Sequence, residues 1–157
     1  MKPEIGITEK NLHQSIEMLS VILADEMTLY IKTRKFHWNV SGESFMELHK
    51  LFQGQYTELE ENIDLIAERI SKLGGKAIGT MKEYAKLTRL KEAPGKYPPQ
   101  TEMMNELLSD HELIIKEVRD DIEKMDDKNK DAGTIDFLTG VMQAHETTAW
   151  ILRRYLK

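Results

Sequence analysis

The chain has 157 residues, 40% hydrophobic and 31% charged, with four prolines and nine glycines, which fits one helical domain, 1–157, burying roughly two thirds of its unfolded surface. Its net charge of −5 argues against a general grip on nucleic acid, because that affinity comes from Lys and Arg neutralising phosphates. The absence of cysteine excludes disulfides, thiolate metal sites and cysteine nucleophiles.

The first ten residues lack the apolar core of a signal peptide. The longest apolar run, Val21-Ile22-Leu23-Ala24, is too short to cross a bilayer. A cytoplasmic protein without a membrane partner is therefore expected. Thr8 is placed to cap a helix over Glu9–Asn39, about 45 Å long, with no glycine or proline inside it. Leu12, Ile16, Leu19, Leu23, Tyr30 and His37 fall on one stripe of that helix, and Glu26 and Thr33 take the remaining steps. Ser41-Gly42 breaks it. Ser44 and Glu47 have the spacing of a capping box for the next helix.

That second helix has the cleanest period in the chain: Phe45, Leu48, Phe52, Tyr56, Leu59, Ile63, Ile66, Ile70 and Leu73, ended by Gly74-Gly75. Such a stripe suits an antiparallel bundle. Residues 76–99 are long for a bundle loop. Thr80 and Glu83 predict a capped short helix, Met81–Leu90, and leave room for a crossover to the third long helix. The third starts near Thr101, with Met104, Leu108, His111, Ile115, Val118, Ile122 and Met125 inward. A polar break over Asp126–Gly133 precedes the fourth, from about Thr134, with Leu138, Val141, Met142, His145, Ala149, Leu152 and Leu156 inward. Four long helices and no strand signal make an all-α, ferritin-like four-helix bundle with a short extra helix between the second and third.

The chemistry concentrates between Phe36 and Gly75. His37 and His49 stand twelve residues apart across the first break, and Asp64 and Glu68 stand four apart on the second helix. Imidazoles and carboxylates together suit a first-row transition metal. A di-iron bundle with its site inside one subunit needs Glu-x-x-His pairs. Three residues before the five histidines stand Lys10, Arg34, Met46, Leu108 and Met142, none acidic, so that site is excluded. On a helical wheel with His49 at zero, Gln53 falls near 40°, Asp64 near 60° and Glu68 near 100°, all on one face. His49 and Asp64 are nevertheless about 22 Å apart along the axis, while ligands must lie about 2 Å from an ion. One copy of the helix cannot close the site. A second copy, antiparallel across a two-fold axis, would close it twice, with His37 and His49 from one chain and Asp64 and Glu68 from the other.

His37-Trp38-Asn39-Val40, the twelve-residue step to His49, Asp64-Leu65-Ile66-Ala67-Glu68-Arg69, Gly74-Gly75 and the closing His145-Glu146 to Trp150-Ile151-Leu152 segment resemble the Dps family of the ferritin superfamily. The resemblance implies a hollow homododecamer with ferroxidase sites at its two-fold interfaces. There Fe(II) is oxidised, typically by hydrogen peroxide, and ferric mineral is laid down inside, with iron (Fe2+/Fe3+), up to two ions per site, as the metal and no organic cofactor. By position His37, His49, Asp64 and Glu68 match the family's iron ligands. The family usually has an aspartate where this chain has Gln53, a neutral and weaker ligand that bears on the second iron position. The resemblance also places Trp38 close to the iron and an acidic three-fold pore near the last turn, where Asp131 and Asp136 are the candidates among Glu123, Asp126, Asp127, Asp131 and Asp136. A ring of carboxylates focuses cations.

Simpler readings stand beside these. Acids at a helix N-terminus are favourable without any pore, which accounts for Asp131 and Asp136. Trp38 can be core packing. His111 and His145, on apolar stripes, are expected to be hydrogen-bonded core histidines, and His13 has no assigned role. The family's DNA binding often uses a lysine-rich tail. Here Lys2 and Lys10 face Glu4 and Glu9, so weak or absent DNA binding is expected. A nucleoid-protecting protein with a vestigial metal site and a plain helical interaction module remain the alternatives.

Overall fold

The computed structural model describes residues 3–128 and 131–157, with Asp127 and Lys128 described by backbone alone. Five helices follow one another: α1 (Glu9–Asn39), α2 (Phe45–Lys72), α3 (Met81–Leu87), α4 (Gln100–Lys128) and α5 (Ala132–Tyr155). The break expected over Asp126–Gly133 is shorter than predicted, since α4 continues to Lys128 and α5 starts at Ala132. Asn129, Lys130 and Lys2 lie outside the described residues, as does the side chain of Asp127.

α1 packs chiefly on α2 and α4 chiefly on α5, while α1 also touches α4 and α3, and α2 touches α5. The link from α2 to α4 is therefore the crossover that the length of residues 76–99 left open. One apolar core runs through the bundle, with Leu19, Leu23, Leu29, Phe36, Leu48, Phe52, Ile66, Ile70, Leu107, Val118, Leu138 and Leu152 buried. Removing the ring of Phe52 would cost about 3–5 kcal/mol, because the void it leaves refills only in part. No helix among the described residues is long and apolar enough to cross a membrane.

Local chemistry sets the helix ends. The Thr8 hydroxyl accepts from Asn11 N at 3.3 Å, starting α1 as expected. The box at α3 is complete, with Thr80 Oγ1 accepting from Glu83 N and the Glu83 carboxylate accepting from Thr80 N. α3 ends at Leu87 rather than Leu90. The box expected at Ser44 does not form. Its Glu47 carboxylate instead accepts the Tyr155 hydroxyl at 2.7 Å, a partner 108 residues away that outcompetes the local cap. Gly74 ends α2 with φ +87°, and a Cβ there would lie 2.8 Å from Pro3, so glycine is required twice over.

Two buried ion networks hold the crossover against the bundle. Asp25 on α1 accepts from the backbone N of Arg89 at 2.6 Å and from its Nε at 2.7 Å, while Arg89 Nη1 reaches Glu117 and Asp121 on α4. Lys32 donates to Asp110 at 2.6 Å and to the Lys91 carbonyl at 2.7 Å. Burial pushes the carboxyls of Asp25 and Asp110 upward, with Arg89 and Lys32 opposing that push. Each acid thus depends on its cation, since a lone buried charge is strongly destabilising.

Candidate metal centre

His37 closes the last turn of α1, and His49 sits in the first turns of α2 across the tight break at Ser41-Gly42. The break folds the two helices back so that the imidazoles stack, with ring centroids 3.8 Å apart and planes 22° apart. Each ring then uses its Nδ1 on the other's backbone. His37 Nδ1 lies 2.7 Å from the His49 carbonyl oxygen and His49 Nδ1 lies 3.0 Å from that of His37. A carbonyl oxygen only accepts, so each Nδ1 carries the hydrogen and each Nε2 is left with a lone pair. A backbone carbonyl on the far nitrogen is the usual means of fixing the tautomer and orientation of a metal-binding histidine. The pair is built to present two nitrogen ligands.

The surroundings keep it in place. His37 is nearly buried and its ring packs edge-on against Tyr56, 5.2 Å between centroids, while Phe45 lies 5.2 Å from His49. Arg34, one turn before His37, has its guanidinium 4.6 Å from the Tyr56 ring centre, 5.3 Å from that of Tyr30 and 5.5 Å from that of Trp38. It also donates to the Tyr30 hydroxyl. Trp38 is 63% exposed and so is not a core residue. Its indole stands on the surface beside the histidine pair.

The acids lie elsewhere. Asp64 is exposed and borders an open depression with Met27, Tyr30, Glu60 and Glu61. Glu68 is exposed and pairs only with Lys72, at 3.0 Å, an i,i+4 contact that contributes little in water. Gln53, one turn after His49, is exposed, and its backbone carbonyl accepts from the Thr57 hydroxyl at 2.9 Å. Among the described residues no three His, Asp or Glu side chains of one chain are grouped to hold a metal. The fold therefore brings His37 and His49 together and leaves Asp64 about 22 Å and Glu68 about 28 Å further along α2 than His49. The exposed face that carries them also bears uncovered apolar residues at both ends, Phe45 and Met46 near the histidines and Leu65 near the acids.

The two pore candidates separate. Asp131 is 2% exposed and caps α5. Its carboxylate accepts from Thr134 N at 3.1 Å, Thr134 Oγ1 at 2.6 Å and Ser15 Oγ at 3.1 Å, and it pairs with Arg69 at 3.2 Å. That capping role fills its lone pairs and argues against an ion-lining one. Asp136 is exposed, as are Glu123 and Asp126. His13 is exposed and lies 3.4 Å from Glu17.

Glu26, on the inward stripe of α1, is a core residue that no motif marks. It lies wholly buried on α1, 2.5 Å from His145 Nε2 on α5, and His145 Nδ1 in turn lies 2.8 Å from His111 Nδ1 on α4. His111 and His145 are the hydrogen-bonded core histidines their stripes implied. The stripe that placed Glu26 inward was the available signal for an acid that had to find a partner inside.

Residues 16–157 match the model of the ferritin-like domain. An uncharacterized low temperature-induced protein of Nostoc sp. is 44% identical over 153 residues, covering 98% of this chain and 86% of that one. DNA protection during starvation protein 2 of Bacillus anthracis is 38% identical over 144 residues, covering 91% and 97%. Among solved structures, a Dps protein of Vibrio cholerae, described as a member of a broad superfamily of ferritin-like diiron-carboxylate proteins, superposes with a TM-score of 0.92 at 28% identity, covering 99% of this chain and 97% of that one.

Proposed function

This chain belongs to the Dps family of the ferritin-like superfamily, and from that premise we propose that it is a ferroxidase which detoxifies and stores iron. Fe(II) is its substrate, hydrogen peroxide the preferred oxidant, and the working form a hollow homododecamer that lays down ferric mineral inside. Each site takes His37 and His49 from one chain and Asp64 and Glu68 from its two-fold partner. Two Fe(II) ions each give up one electron, the O–O bond of peroxide breaks, and with two protons the oxygen leaves as two waters. Moving both electrons in one event avoids a free hydroxyl radical, which is why the ligands come as a cluster.

The observation that carries this reading is the reciprocal lock between the histidines. A pair of imidazoles whose Nδ1 hydrogens are both spent on backbone carbonyls offers two free lone pairs to an electrophile. The carboxylates supply the negative charge that Fe(III) requires and two imidazoles cannot, and the apolar ends of the α2 face favour the partner that would bring them. Gln53 leaves the second position, beside His49, with one charge less. Trp38, beside the pair, is placed to take up a stray oxidising equivalent.

The test is anaerobic Fe(II) mixed with peroxide in stopped flow. Rapid oxidation by the unaltered protein, and its loss in His37→Ala with Asp64→Ala, is the expected result. Unchanged oxidation in that double variant would overturn the assignment. The name of the Bacillus anthracis relative favours a second reading, protection of DNA by binding it. With a net charge of −5 the expected result is no gel shift at about 150 mM salt.

A further inference from the structure

Unpaired polar atoms gather in the core of the bundle. Seven buried side-chain nitrogen and oxygen atoms among the described residues have no hydrogen-bond partner, and three of them belong to residues that line one cavity, His111 Nε2 and both amide atoms of Gln55, while a fourth, Glu26 Oε2, belongs to the carboxylate that His145 meets. Each of the four long helices contributes one residue, Glu26 from α1, Gln55 from α2, His111 from α4 and His145 from α5, and all four are more than nine-tenths buried. A buried polar atom left unpaired costs about 1–3 kcal/mol, so three at one cavity mark a site with an occupant.

The place for it is a cavity of about 10 Å³ walled by Gln55, Glu58, Asn62, His111, His145 and Thr148. That is at the lower limit of about 10–15 Å³ for a single water. Hydrogen counting favours the same occupant. One hydrogen lies in the Glu26–His145 contact and one in the His145–His111 contact. If His145 is neutral and donates to Glu26, His111 donates from Nδ1 and turns a lone pair toward the cavity. If the chain holds one more proton, His145 donates both ways and His111 Nε2 carries a hydrogen instead. Burial, then the neighbouring His145, hold His111 itself well below the ordinary imidazole range. Water can meet either face of His111, as acceptor or donor, whereas a metal ion can use only the first. No group of three His, Asp or Glu among the described residues is arranged for a metal.

We propose that the bundle core binds one water between His111 and Gln55, and that this water is the open end of a hydrogen-bonded chain running through His145 to the sealed carboxylate of Glu26. It gives the four helices a shared polar tie. It is also the port by which Glu26, fully excluded from solvent, exchanges its proton, because Glu58 on the cavity wall is exposed. Glu26 and Glu58 are the charged groups that face the two histidines, and no Lys or Arg lines the cavity.

A high-resolution crystal structure of the assembled protein, with anomalous data after a zinc soak, tests the occupant. The expected result is one water about 2.7–3.2 Å from His111 Nε2 and a Gln55 amide atom. A dry cavity, or a zinc peak in its place, would overturn the proposal. Thermal melts of Gln55→Leu, His111→Phe and the double variant test the tie. Each single change should lower the midpoint by about 3–6 °C. The double change should lower it by clearly less than the sum, since the second removes a partner the first left unpaired. Strictly additive shifts would contradict a shared water.

Discussion

Two pairs of histidines lie in the same bundle and have opposite fates. His37 and His49 spend their Nδ1 hydrogens on each other's backbone carbonyls and keep both Nε2 atoms in reserve. His111 and His145 meet Nδ1 to Nδ1, and His145 goes on to a buried glutamate. His37, His111 and His145 sit on apolar stripes, and residue type does not separate the two pairs. The partner of the far nitrogen does: a carbonyl that asks for nothing back leaves a ligand, while a titratable side chain makes a chain that must be completed internally. The first pair has no acid beside it in its own chain among the described residues, and the second has its acid already.

The largest effect expected from that contrast is on stability. Glu26→Ala removes a wholly buried carboxylate and strands His145, and should cost about 3–5 kcal/mol, seen as a large fall in thermal midpoint. Any shell that still assembles should oxidise Fe(II) at a normal rate. His37→Ala should do the reverse. Its melt should shift by less, about 1–2 kcal/mol, because it loses one part-buried hydrogen bond and a ring contact but strands no buried charge. Its peroxide-driven Fe(II) oxidation should fall at least tenfold to about a hundredfold, since even outer partners of metal ligands are worth that much. Equal losses of stability in the two variants would erase the distinction.

Smaller changes sharpen it. Gln53→Asp adds a carboxylate beside His49 and should tighten the second iron roughly three- to tenfold, read by titrating Fe(II) or Co(II) per subunit. No change would mean that Gln53 does not face the metal. The smallest effect is at α3, far from both pairs. The Thr80 hydroxyl first, then the backbone N–H groups of Gly79 and Thr80, hold the Glu83 carboxyl below its ordinary value. A lowered carboxyl stabilises the folded state above its unfolded value, and the contribution disappears as pH falls through the lowered folded value. Glu83→Gln should therefore speed amide exchange in α3 at neutral pH and match the unaltered protein in acid.

Much of this architecture was legible in the chain. The stripes gave the four long helices nearly to the residue, Thr8 and Thr80 gave their caps, and the length of residues 76–99 allowed the crossover. Wheel and rise together gave the separation of His49 from Asp64 and Glu68 along α2, because both depend only on local helix geometry. What could not be read depended on distant partners. Glu47 has the right spacing for a cap but goes to Tyr155, and Asp131 sits where a pore acid would but is consumed by Ser15, Thr134 and Arg69. Asp25 gives no local hint of Arg89. The mutual carbonyl lock of His37 and His49 likewise needs the fold back at Gly42, which no period encodes.

The central claim, that one site needs two chains, has a direct test by complementation. One variant carries His37→Ala and His49→Ala, the other Asp64→Ala and Glu68→Ala. Each assembled alone should be inactive in peroxide-driven Fe(II) oxidation. Denatured together in equal amounts and reassembled, half of the two-fold interfaces should pair unlike chains, and each of those regains one intact site of its two. Mixed shells should then recover about one quarter of the normal rate. Mixed shells as inactive as their parents would contradict a composite site, and so would either parent active alone.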